Sequence, residues 1–217
     1  MTEAQILTPD ERLDDRPFTN PAHSRDDLAF MRKMARQLLE AYTDPLVCDF
    51  RPGQRPVCES DPQGRHFRIY YIQPELLFSS KGLTVVGFFG HKRPGADVKP
   101  LIAADKRFEE VFHEHAGLLS LSTVRLPNGD FGNLVLFTDP EAKDHWNRMP
   151  LHYDTVSRIS PPYYEHIRLN NGYLPDGLDA PEELQLLRVR YIDYNESPAW
   201  RAVREFESTP DSQDAAD

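Results

Sequence analysis

Apolar and polar positions recur regularly enough along the chain to parse most of it. Leu28, Met31, Ala35, Leu38, Leu39 and Tyr42 return at helical spacing, opposite Arg32, Lys33, Arg36 and Glu40, and predict a first helix. Ser24 followed by Asp27 reads as its capping box and Asp44-Pro45 as its stop. The residues before it, 1–22, read as a flexible lead. A short strand at Leu46–Phe50 gives way to a loop punctuated by Pro52, Gly53, Pro56, Pro62 and Gly64. His66–Gln73 then alternates as a strand does, with Phe67, Ile69 and Tyr71 on one face and Arg68, Tyr70 and Ile72 on the other.

The densest pattern runs from Leu83 to Leu169. Leu83–Gly90 is rich in β-branched and aromatic residues and predicts a buried strand. Leu101–His115 has a helical stripe of Leu101, Ala104, Phe108, Val111 and Phe112, closed by Gly117. Leu118–Leu126 and Phe131–Phe137 are strands joined by a turn at Asn128-Gly129. Asp139-Pro140 opens a helix with Ala142, Trp146 and Met149 inward. Pro150 ends or kinks that helix, Leu151–Ile159 continues it as a second piece, and Pro161-Pro162 breaks it before a closing strand at Tyr163–Leu169. Strand, helix, strand, turn, strand, helix, strand is the split βαβ order of an α+β fold. It predicts a ferredoxin-like antiparallel sheet with helices on one face. Beyond it, Asn170–Glu183 reads as a loop, Leu184–Tyr194 as a strand and Pro198–Phe206 as a short helix with Trp200, Val203 and Phe206 at helical spacing. The expected organisation is one α+β domain over 23–206, with its core at 83–169 and N- and C-terminal additions, and a disordered acidic tail over 207–217.

Composition narrows the function classes. The chain has 217 residues, 39% of them hydrophobic, which suffices for a packed core. Its net charge of −10 opposes nucleic-acid phosphate and anionic membranes, and no Lys/Arg run offsets it. The N-terminus has no basic segment leading into an apolar run, and no stretch is long and apolar enough to span a bilayer. Cys48 and Cys58 match no metal motif and read either as a pair across a short loop or, the plainer reading, as free thiols in a reducing, cytoplasmic setting. A glycine-rich phosphate loop, His-Glu-x-x-His, Gly-x-Ser-x-Gly, Cys-x-x-Cys and a calcium loop are all missing.

Three stretches carry a family resemblance: Thr84–Gly90 leading into a helix, Gly117–Leu126 meeting Gly129-Asp130-Phe131-Gly132-Asn133-Leu134-Val135-Leu136-Phe137, and the Asp139–His152 helix. Together they resemble the dimeric α+β barrel superfamily, particularly its antibiotic-biosynthesis-monooxygenase-like and stress-response branches. The resemblance implies that two sheets associate, each forming half of a barrel, with pockets between sheet and helices. It also implies a range of activities: cofactor-free oxygenation, haem handling, isomerisation, or none. The long additions on both sides of the core depart from the minimal pattern and put a simple homodimer in question.

Several side chains are candidates for chemistry. His152 follows the irregularity at Pro150 and reads either as a proton shuttle or axial ligand, or as a histidine hydrogen-bonded at a helix bend. Asn133 is the polar exception in an apolar strand, so its amide needs a partner in the protein or a ligand. Arg125, on the neighbouring strand, would bind a carboxylate, phenolate or enolate, or simply end the strand in solvent. His115 points inward near a helix end, as a core or capping residue or as a ligand, whereas His113 points outward. His145 shares a helix face with His152 if Pro150 only kinks the helix, which makes His115 and His145 the cofactor-binding candidates; no metal set is expected. Arg188 and Arg190 share a strand face and call for carboxylates or solvent, with Glu182, Glu183 and Asp193 nearby. Three functions fit: a cofactor-independent monooxygenase-like enzyme acting on an apolar or aromatic small molecule, a haem-binding enzyme with a histidine axial ligand, or a non-catalytic binding or interaction barrel. In the first, His152 is the base and Asn133 or Arg125 lies near the developing charge. The expected partners are a small organic molecule and a second copy of the chain.

Overall fold

Leu83, Val85 and Phe89 project from one side of β4 (Leu83–Lys92), and Val86 and Phe88 from the other. Such a strand, apolar on both faces, has to lie mid-sheet under two layers. The computed structural model, which describes residues 4–42, 56–60, 64–126 and 130–206, places it there. β4 is central in a nine-stranded sheet ordered β1-β9-β8-β7-β4-β6-β5-β3-β2. The other strands are β1 (Gln5–Leu7), β2 (Val57–Ser60), β3 (His66–Tyr71), β5 (Leu118–Arg125), β6 (Phe131–Phe137), β7 (Tyr164–Leu174), β8 (Gln185–Asp193) and β9 (Trp200–Glu205). Among the described residues only the β1–β9 pair is parallel. The middle four strands, β7-β4-β6-β5, have the ferredoxin-like order, with β6 lying between β5 and β4. The residues of the expected turn, 127–129, lie outside the described residues, but Leu126 and Asp130 close the hairpin with a 2.7 Å backbone bond.

The two crossovers of this core put their helices on one face, as the pattern predicts. These are α3 (Lys99–Val111), then α4 (Pro140–Arg148), α5 (Pro150–Asp154), a π-helical turn at Thr155–Ile159 and α6 (Ser160–Tyr163). Asp139 caps α4, accepting from the Ala142 N–H at 2.8 Å, with Pro140 at the first helical position. Gly117 turns the chain from α3 into β5 with φ of 83°, and a Cβ there would lie 2.5 Å from Thr138 Oγ1. The opposite face is covered by α1 (Pro21–Tyr42), whose Met31, Met34, Ala35 and Leu38 pack on Leu83, Val85, Phe89, Leu134 and Leu136, and by the short α2 (Pro74–Ser79), whose Leu77 joins the same cluster. Met31, Met34 and Leu38, each essentially inaccessible, contribute on the order of 1.5–3 kcal/mol apiece. Gly87 permits this approach, because a Cβ there would meet Met31 Sδ at 2.5 Å.

Several expectations are corrected. Pro198–Phe206 is not a helix: Trp200–Glu205 is β9, antiparallel to β8. Its inward row is Ala202 and Arg204, and the buried arginine hid the alternation. The stretch expected as a loose lead supplies β1 and buries Phe18 and Thr19. α1 begins at Pro21, with Asn20 Oδ1 accepting from the Ala22 N–H at 3.0 Å. Ser24 is therefore not the cap but lies inside the helix, 3.2 Å from the Tyr191 hydroxyl. β7 continues five residues past Leu169, through Asn170-Asn171-Gly172, which reads as a loop in sequence. Pro161 and Pro162 do not break the helical run but occupy the first turn of α6. The strand expected at Leu46–Phe50, the tail over 207–217 and Cys48 lie outside the described residues; Cys58 is an exposed free thiol.

Candidate functional site

One transverse row of side chains crosses the helix-covered face of the sheet. Following the cross-strand pairs, Arg190 lies beside Leu169, Leu169 beside Phe88, Phe88 beside Asn133, Asn133 beside Thr123 and Thr123 beside Arg68. Directly paired residues project to the same face, so the six form a floor about 24 Å long at ~4.8 Å per strand. Over it lies a cavity of about 220 Å³ between the sheet and the layer from α3 to α6. Phe108 of α3, Phe112 in the 3₁₀ turn that follows it, Trp146 of α4 and Val156 of the π turn roof it; Val86, Leu121 and Val135 continue its apolar floor.

Asn133 sits mid-row. Its Oδ1 is buried and has no hydrogen-bond partner among the described residues. An orphaned acceptor in an apolar cavity is costly unless something donates to it. The amide can also turn to present its NH₂, so Asn133 is equipped to meet either a donor or an acceptor. His152 lies in the roof on α5, its ring 5.6 Å from that of Trp146 and 6.4 Å from that of Phe108. Burial lowers its pKa below 6.5, partly offset by a hydrogen bond to the Asn147 backbone. A histidine whose pKa is lowered in this way is mainly neutral at pH 7 and able to take a proton.

At the β3 end the cavity polar groups are already matched. Arg68 donates to Asp105 Oδ2 at 2.9 Å, and the Tyr70 hydroxyl donates to Glu109 Oε1 at 2.5 Å. Burial raises the Asp105 pKa against the opposing pull of Arg68, and burial with the Glu109 bond raises that of Tyr70. At the β8 end, Tyr194 lines the cavity with its pKa pushed up to about 12 by burial.

The other sequence candidates lie elsewhere. Arg125 is exposed at the end of β5 and does not line the cavity. His115 is 1% exposed and packs between Phe137, Trp146 and His145, the last with ring centroids 4.8 Å apart. Burial, then the neighbouring His145, lowers its pKa. His145 itself is exposed. The structure therefore brings His152 and Asn133 to one cavity, and leaves Arg125, His115 and His145 outside it. The cavity is smaller than the roughly 300–1,000 Å³ of pockets for drug-sized ligands, and of the three histidines only His152 reaches it. Among the described residues no group of three His, Cys, Asp or Glu side chains is placed to hold a metal. No helix among them is long and apolar enough to cross a membrane.

Sequence reasoning missed two groups. His91 Nδ1 lies 2.8 Å from Asp130 Oδ2, and its ring stacks on His166 at 5.0 Å. On the α1 face, Asp27 forms a bidentate pair with Arg168. Residues so distant in sequence leave no local signal; only the polar interruptions of β4 and β7 marked them.

No family model matches the chain, and no curated protein matches it. Solved structures similar to it include a protein from Shewanella oneidensis (14% identity, TM-score 0.39, covering 51% of this chain and 99% of that one). A ferredoxin-fold protein related to antibiotic biosynthesis monooxygenases, from Listeria monocytogenes 4b F2365, has 13% identity and a TM-score of 0.39, covering 63% and 89%. A heme-degrading enzyme from Listeria monocytogenes has 15% identity and a TM-score of 0.33, covering 63% and 94%. The ferredoxin-like topology itself stands on the strand order and pairing described above.

Proposed function

We propose that the cavity binds a small, largely aromatic molecule carrying an acidic hydroxyl, and that His152 deprotonates it. The observation that carries this reading is the buried, unpartnered Asn133 Oδ1 in the middle of an apolar floor. A phenol or enol lying over Phe88 and Val135 would satisfy the Asn133 amide and leave its rings against Trp146. Neutral His152 would accept the hydroxyl proton, and the resulting anion, held away from water, would be electron-rich enough to react with oxygen directly. Such chemistry is monooxygenase-like and uses the substrate itself as reductant. α1 covers the sheet face opposite the cavity, so that face is not open for another layer.

The test is oxygen uptake with electron-rich phenols, for the wild type and for His152→Ala and Asn133→Leu. His152→Ala should lose turnover by roughly 10²–10⁴-fold, the usual contribution of a general base, while its melting temperature changes little. Because burial lowers the His152 pKa, kcat/KM should be flat at neutral pH and fall on the acid side with an apparent pKa below 6.5. Saturable binding without oxygen uptake makes the protein a non-catalytic binder instead. Equal loss of stability and ligand response in His152→Ala assigns that residue to the fold.

A further inference from the structure

The row that forms the cavity floor ends in an arginine on each side, and the two are treated differently. Arg68 is matched by Asp105 at 2.9 Å. Arg190, at the β8 end, lines the mouth of the same cavity from an exposed position, with no hydrogen bond or ion pair among the described residues. Its neighbour on the strand, Arg188, is answered across the ladder by Glu205 at 2.5 Å, so β9 supplies a carboxylate to one of the pair and not to the other. Opposite Arg190 stands Val203, and two residues back on β9 is Arg201, paired with Ile192 and therefore on the cavity face. Arg201 is exposed beside the cavity rather than part of its lining, and likewise has no hydrogen bond or ion pair among the described residues. Residues diagonal across an antiparallel pair lie about 7–8 Å apart, within joint reach of one small anion for side chains as long as arginine. Although the chain carries a net charge of −10, no carboxylate among the described residues pairs with either guanidinium, which leaves both free to meet an anion at the cavity mouth.

The geometry points to a carboxylate subsite at the β8–β9 end of the cavity, formed by Arg190 and Arg201. The ligand is then an aryl-alkanoate: an aromatic body over Phe88 and Leu169, a hydroxyl at Asn133 and a carboxylate between the two arginines. Arg190 is three strands from Asn133, about 14 Å along the floor. The long arginine side chain shortens this span to one that an aromatic ring with a short alkyl chain covers. A guanidinium presents a planar pair of donors that matches a carboxylate, which gives the ligand a fixed direction in the cavity. This inference rests on the cavity reading proposed above and adds the class and orientation of the ligand.

The experiment compares para-hydroxyphenylbutyrate with para-hydroxyphenylbutanol by calorimetry, on the full chain and on Arg190→Gln, Arg201→Gln and Arg188→Gln. The two probes share the ring and the phenol and differ in the charged group. The acid should bind about tenfold more tightly at low salt, the lower range for a hydrogen bond to a charged group at a partly exposed site. The preference should shrink as salt is raised. Arg190→Gln should abolish it, Arg201→Gln should reduce it, and Arg188→Gln should leave it intact. If acid and alcohol bind equally, or Arg190→Gln keeps the preference, the carboxylate subsite is overturned while the cavity reading stands. If neither probe binds, both fall.

Discussion

Replacing Asp27 by alanine should weaken the hold of α1 on the sheet. Asp27, with a side chain only 6% exposed, accepts from Arg168 Nε and Nη2 at 2.7 Å each and from Asn170 Nδ2 at 3.1 Å. Arg168 is itself 16% exposed and lies over the Phe89 ring at 5.8 Å. Removing the carboxylate leaves a guanidinium under α1 without its counter-charge. Breaking a buried pair from one side costs about 3–5 kcal/mol. For a chain of this size each kcal/mol shifts the melting temperature by about 2–4 °C, so the expected fall is roughly 6–20 °C. Thermal and urea denaturation followed by circular dichroism would measure it. The double variant Asp27→Leu/Arg168→Met, which replaces the pair by apolar groups, should recover much of the loss. A loss below about 1 kcal/mol for Asp27→Ala, or a double variant as unstable as the sum of its singles, would refute the claim that this pair pins the helix.

Two further outcomes follow from buried polar groups. Arg204 is inaccessible and donates to the carbonyls of Thr8, Glu11 and Thr19 and to the Tyr191 hydroxyl. Arg204→Leu should cost about 3–5 kcal/mol, since each orphaned acceptor costs about 1–3 kcal/mol and water reaches some of them. Amide exchange should show protection lost at β1 and β9 before β4 to β7. His166 stacks on Phe18 at 4.2 Å, and burial, then the charges of His91 and Arg168, lower its pKa to about 4. The fold keeps it neutral while the unfolded chain protonates near 6.5. Stability from this group is therefore complete above that pH and is lost as pH falls toward about 4. The pH dependence of unfolding in this window should be shallower in His166→Gln than in the wild type.

The core was legible because its signals are local. β-branched runs, the Asp139-Pro140 start and Gly117 each state their structure within a few residues, and together they fix β4 to β7 and the helices between. What stayed hidden depends on distant partners. Asp27 looks like a capping residue in sequence, but the mate that sets its role, Arg168, lies on β7. Arg204 looks like a solvent-facing charge, although three carbonyls of the N-terminal segment enclose it, and this disguised β9 as a helix. Asn170 reads as turn chemistry, yet it is a strand residue that bonds to Asp27. At the site, Asn133 and His152 were visible as polar exceptions in apolar patterns. Arg190 was visible only as one of a like-charged pair; its lack of a counter-ion follows from β8–β9 register.

The claim on which the functional account depends is that the space between Phe88, Asn133 and Trp146 admits an aromatic molecule. The chain has two tryptophans, Trp146 and Trp200, so Trp200→Phe leaves a single fluorophore in the cavity roof. Titrating this variant with para-hydroxyphenylbutyrate should give a saturable change in Trp146 emission at one ligand per chain, and adding Val135→Phe, which fills the floor, should abolish it. An emission that stays constant through millimolar ligand, or one that responds equally with the floor filled, would contradict the account.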